Sequence, residues 1–157
     1  MKKLALLIMF LTGCWTAKNA SYKPVDWQDD IPEEPIKKVS PKETTSDKLL
    51  KLHNVQRKDR PLFVLDDKLS KYAQAHAEWM AKNDKLKHSE IKALLEDFHT
   101  VGENIAWNQR DEAEVVEGWM NSPGHRANIL NKSFTKIGFG LAHNKDNEPY
   151  WCTCFGG

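Results

Sequence analysis

Histidine and cysteine have the most chemistry to offer in this chain, which holds six of the first and three of the second. Neutral imidazole is a common metal ligand and changes charge near neutral pH, while a thiolate is both a nucleophile and a soft ligand. The histidines are scattered, and no His-Glu-x-x-His pair puts two rings on one helix face. A Gly-x-Ser-x-Gly elbow and a glycine-rich phosphate loop are also missing. Ser122 stands three residues before His125, across Pro123-Gly124. No oxyanion hole can be identified with that pair, so nothing supports a serine nucleophile and its base. Cys152-Thr153-Cys154 falls in a β-like run, where alternate side chains share a face and a disulfide between them is strained. The pair has two open readings: buried reduced thiols, or a soft-metal or redox site.

The elements that must position these groups are partly legible. Thr45 or Ser46 can cap a first helix carrying Leu49, Leu52, His53 and Gln56 at helical spacing, which Arg60-Pro61 stops. Asp66 caps a second helix with the stripe Leu69, Tyr72, Ala73, His76, Ala77 and Met80. His53 and His76 thus lie on core-facing stripes, whereas His99 and His143 fall in loops. A short helix fits Ser89 to Phe98. Asp111 with Glu114 makes a capping box before Val115, Val116, Trp119 and Met120, and Pro123-Gly124 ends that helix. After a helical turn through Asn128–Leu130, the runs Thr135 to His143 and Pro149 to Phe155 pair as a hairpin across Asn144–Asn147. Ile137, Phe139 and Leu141 alternate with small or polar residues, so one face of that sheet is buried and helices cover it.

The remainder of the chain reads as an address. Met1-Lys2-Lys3 and the apolar run Leu4 to Leu11 suit a signal peptide and are too short for a membrane span, which needs about 20 residues. Leu11-Thr12-Gly13-Cys14 resembles the lipobox of bacterial lipoproteins, which implies lipidation of Cys14 and a membrane as partner; without it, the protein is secreted. Residues 15–45, with Pro24, Pro32, Pro35 and Pro41 among mixed charges, form a tether reaching on the order of 90 Å at about 3 Å per residue. Lys and Arg number 23 against 22 Asp and Glu, so the chain lacks the basic excess that phosphate binding requires, and nucleic acid is excluded as a partner. Residues 46–157 remain for one domain with a single core.

Within that domain four stretches follow in order: Lys87-His88-Ser89, Gly102-Glu103-Asn104-Ile105-Ala106, Trp119 to Arg126 reading Trp-Met-Asn-Ser-Pro-Gly-His-Arg, and Ile137-Gly138-Phe139-Gly140. His53-Asn54 with Arg57, Ala73 and Ala77, and Tyr150-Trp151 complete the pattern. It resembles the CAP superfamily of cysteine-rich secretory proteins, antigen 5 and pathogenesis-related 1 proteins, also called the SCP domain, and most nearly its compact bacterial members.

The resemblance implies an α+β fold, a three-layer α-β-α sandwich with a central antiparallel sheet and an open cleft. It also implies a divalent-metal site from His88, Glu103 and His125, with Ser122, Asn104 and Arg126 as cleft support. The second acidic residue of animal and plant members has no counterpart, because Asn121-Ser122-Pro123 stands there; Glu117 is a poor substitute. Two imidazoles and one carboxylate match a catalytic-type zinc set with a position open for water, and zinc is the first choice of metal. Two functions follow. One is an exported, lipid-anchored protein whose cleft binds a lipid, glycan or protein ligand. The other is a metal-dependent, peptidase-like hydrolase with Glu103 as its catalytic base or ligand. The disulfide ladder of other members is missing, so stability must come from the core.

Overall fold

The computed structural model describes residues 42–157. The apolar leader, Cys14 and the tether up to Pro41 lie outside the described residues. The first helix, α1 (Thr45–Gln56), is capped by Thr44 rather than by Thr45 or Ser46. Thr44 Oγ1 accepts from the Asp47 N–H at 3.1 Å while Asp47 Oδ2 accepts from the Thr44 N–H at 3.0 Å, a reciprocal box that places the start one residue earlier. After the two-residue strand β1 (Val64–Leu65), Asp66 caps α2 (Asp67–Asn83) through the N–H groups of Lys68 and Leu69. Asp84 ends α2 in the left-handed region, at φ 54°.

The expected helix over Ser89–Phe98 is a 3-10 segment, Ile91–Glu96, and leads into β2 (Val101–Trp107). Asp111 caps α3 (Glu112–Asn121) as expected, but Glu114 turns its carboxylate to the N–H of Arg110 rather than of Asp111, so the box is not reciprocal. Pro123-Gly124 ends α3 and also opens α4 (Pro123–Ile129), because proline at the first helical position loses no needed donor. The hairpin of β3 (Lys136–His143) and β4 (Pro149–Gly156) is antiparallel, and His143 is its last β3 residue rather than a loop residue.

The sheet order is β1-β3-β4-β2, antiparallel from β3 through β4 to β2, with β1 added parallel at the edge of β3. The α-β-α sandwich is present, and its faces follow from strand alternation. Ile137, Phe139, Trp151 and Phe155 point toward α1, α3 and α4, packing with Leu49, Val115, Trp119 and Ile129. Ile105, Tyr150, Cys152 and Cys154 point the other way, onto Leu69, Ala73, Ala77 and Met80 of α2. Both faces of the hairpin are therefore buried. Gly138 and Gly140 are the small alternates of β3, and they let the α2 backbone lie directly on the sheet.

His53 belongs to the first of these layers, as its place on α1 predicts. It is fully buried, its Nδ1 donates to the Leu49 carbonyl at 2.8 Å, and its Nε2 has no partner. The rings of Phe63, Trp119, Phe139 and Phe155 surround it. A second proton would meet no acceptor, and burial pushes its pKa down from 6.5 to about 4. The unfolded chain protonates first as pH falls, so His53 leaves stability unchanged above pH 6.5 and removes it between pH 6.5 and about 4. The expected loss is about 3 kcal/mol by urea unfolding. In His53→Leu the acid-side decline should be shallower by that amount, and an equal decline in both proteins would contradict it.

Candidate functional site

Glu103 and Asn104 are adjacent on β2 and, by alternation, serve opposite faces of the sheet. Both are buried although polar, at 7% and 0% exposure, so both need partners. Glu103 lies on the α2 face. Its Oε1 accepts from His88 Nδ1 at 2.7 Å and from the Ser89 N–H at 3.0 Å, and its Oε2 accepts from Ser89 Oγ. The carboxylate thus fixes the tautomer of His88 with the proton on Nδ1, leaving Nε2 as the free lone pair. The His88 side chain is 61% exposed while that of Glu103 is 3%, so a buried acid orients an accessible ring.

On the opposite face Asn104 organises α4. Its Nδ2 donates to the backbone carbonyl of His125 at 3.0 Å, and its Oδ1 accepts from Asn128 Nδ2 at 2.9 Å. Asn128 also reaches the Glu103 carbonyl at 3.1 Å. The Gly-Glu-Asn stretch therefore holds one histidine through a side chain and the other through its helix. Partial burial and the nearby His88 push the His125 pKa down, which favours the neutral, lone-pair-bearing imidazole.

His88 lines an open cavity of about 340 Å3 with Tyr72, His76, Trp79, Lys87 and Ser89. His76 lies at this cavity rather than in the core. Its Nε2 meets the Lys87 carbonyl at 2.7 Å and its ring stacks on Trp79 at 5.8 Å and 8°. His125 and Ser122 line a second hollow with Trp107 and Trp119. Arg126 is exposed and makes no side-chain hydrogen bond or ion pair among the described residues.

Glu103 also faces inward. Among the described residues, only Glu103, Cys152 and Cys154 bring three potential ligand atoms within 4.8 Å of one another; His88, Glu103 and His125 are not so tightly gathered. The neighbouring Cys154 thiol and burial hold Cys152 well above the usual thiol range, so it is protonated and unreactive at neutral pH.

Ser89 and Tyr72 emerge as site residues that motif reading did not assign. Ser89 was visible beside His88 in the sequence; Tyr72 was masked by its place on an apolar stripe.

The free Nε2 of His88 and the neutral ring of His125 are lone-pair donors of the kind a divalent metal takes, and they line neighbouring hollows. Glu103, whose oxygens already accept hydrogen bonds, fits better as the group that orients His88 than as a free base.

The family model of the cysteine-rich secretory protein family (CAP) matches residues 50–155. The chain is 38% identical over 108 residues to the uncharacterized protein YkwD of Bacillus subtilis, covering 62% of this chain and 42% of that protein. It spans less than half the length of the curated relatives it matches. Among solved structures, an extracellular SCP-domain protein of Bacillus anthracis aligns with TM-score 0.60 and 28% identity, over 69% of this chain and 39% of that one. NaASP2, solved with Zn2+, aligns with TM-score 0.55 and 18% identity, over 71% of this chain and 78% of that one. The order of motifs, the sandwich and the family match agree: this chain belongs to the CAP family of cysteine-rich secretory proteins.

Proposed function

We propose that this is an exported CAP-domain protein, lipid-anchored at Cys14, whose cleft binds a ligand around a divalent metal held by His88 and His125. The observation that carries the reading is the Glu103–His88 hydrogen bond at 2.7 Å, which presents a tautomer-fixed imidazole at the wall of an open cavity. Zinc, when bound, supplies an electrophile for an oxygen or nitrogen of the ligand. Glu103 orients His88, Asn104 fastens α4 beneath His125, and Tyr72 and Trp79 offer aromatic surface to the rest of the ligand. The extracellular SCP relative and the zinc-containing NaASP2 support an extracytoplasmic location and zinc as the metal. No observation favours the hydrolase alternative.

Zinc titration calorimetry of the full chain tests the metal. His88→Ala/His125→Ala is expected to bind one equivalent less than the parent, and identical isotherms would remove the cleft site. For the anchor, palmitate labelling in a bacterial host is expected to vanish in Cys14→Ser; labelling that persists would sink it.

A further inference from the structure

The cysteine pair is not used by the cleft reading, yet the fold brings it to Glu103. In the antiparallel register Glu103 pairs with Cys154, and Ile105 with Cys152. Glu103, Cys152 and Cys154 therefore share the sheet face covered by α2. Both cysteines are free and almost fully buried, at 1% and 0% exposure. Cys152 Sγ lies 4.0 Å from Cys154 Sγ and 3.8 Å from Glu103 Oε2.

Those separations are close to the edges of a metal tetrahedron. With zinc–sulfur bonds of about 2.3 Å and zinc–oxygen bonds of about 2.1 Å, tetrahedral angles give S···S of about 3.8 Å and S···O of about 3.6 Å. The third edge, from Cys154 Sγ to the Glu103 carboxylate, lies within 4.8 Å. The alternative use of the pair, a disulfide, requires the sulfurs to close to about 2.05 Å between alternate residues of one strand.

We propose that Cys152, Cys154 and Glu103 form a second, interior site for a thiophilic divalent cation, with zinc as its natural occupant. Two thiolates and a carboxylate supply three of four tetrahedral positions. Water or one of the nearby hydroxyls completes the set, since Ser89 Oγ already reaches Glu103 Oε2. Tyr72 stands against the same group, with Glu103 and both cysteines adding to the burial that raises its phenol pKa. Binding releases the two thiol protons to solvent, leaving two thiolates bonded to the metal with no change of oxidation state. One net negative charge remains, and the donors of His88 and Ser89 already directed at Glu103 offset part of its burial. The site differs from the cleft metal in its ligands: sulfur binds inside, imidazole outside, and Glu103 stands between them.

The experiment is zinc-edge X-ray absorption on the reduced full chain carrying Cys14→Ser, so that Cys152 and Cys154 are its only thiols. At zinc saturation the proposal expects sulfur scatterers at about 2.3 Å, retained in His88→Ala/His125→Ala. Cys152→Ser and Cys154→Ser should each lose sulfur scattering and weaken this binding event on the order of 100-fold. A coordination shell of nitrogen and oxygen alone, with both thiols reduced, would overturn the proposal while leaving the cleft metal intact. Recovery of the two cysteines as a disulfide from protein purified in zinc without reductant would overturn it as well. If either serine variant fails to fold, the sulfur shell of the Cys14→Ser parent decides the matter.

Discussion

Gly140→Ala is expected to destabilise the domain by about 3 kcal/mol or more and to lower its melting temperature by about 15 °C. A Cβ at Gly140 would stand 2.3 Å from the Ala73 carbonyl carbon and oxygen, and one at Gly138 would stand 2.2 Å from the Leu69 carbonyl carbon and the Ser70 nitrogen. These neighbours are backbone atoms, so no rotamer change gives relief, and α2 must lift from the sheet. Lifting it opens the layer formed by Ala73, Ala77, Cys152 and Cys154 and shifts Tyr72 and Trp79, which line the cleft. Gly124→Ala is the control, because a Cβ there meets nothing within 4 Å. Thermal melts of the three proteins check the expectation, and equal midpoints would contradict the close approach.

Arg57→Met is expected to cost on the order of 5 kcal/mol in urea unfolding, a large part of the stability of an ordinary domain. The side chain is fully buried at the end of α1. Its Nε donates to the Pro61 carbonyl at 2.7 Å, Nη1 to Ile129 at 2.6 Å and Asn131 at 3.0 Å, and Nη2 to Phe134 at 2.8 Å. The guanidinium also lies 3.8 Å above the Phe63 ring. Methionine fills the space but leaves those four carbonyls without donors. Arg57→Lys should recover only part of the loss, because an ammonium cannot reproduce a planar fork. Since Ile129 ends α4, which carries His125, the Lys variant should also weaken zinc at the cleft. A loss below about 1 kcal/mol for Arg57→Met would contradict this role.

The α2 stripe and its Asp66 cap were legible because apolar spacing and capping chemistry agree there. β2 was not legible as a strand: Glu103 and Asn104 are both polar and both buried, so the run lacks apolar alternation although it forms seven ladder pairs with β4. β1, at two residues, is too short to carry a pattern. The residues His53, Asn54 and Arg57 were visible as a motif, but their work is structural. Asn54, for example, pins both the N–H and the carbonyl of Phe63. His88 could be named from its motif and Ser89 stands next to it in the sequence, while the approach of Glu103 to the cysteines depends on strand register, which no local pattern encodes.

Nitrogen-15 spectroscopy of the histidine rings in the full chain during zinc addition tests for a metal held between His88 and His125. The ring resonances of His88 and His125 are expected to move together and stop at one equivalent of cleft-bound zinc, while that of buried His53 stays fixed. If His88 and His125 remain unmoved with zinc in excess, the cleft does not hold the metal.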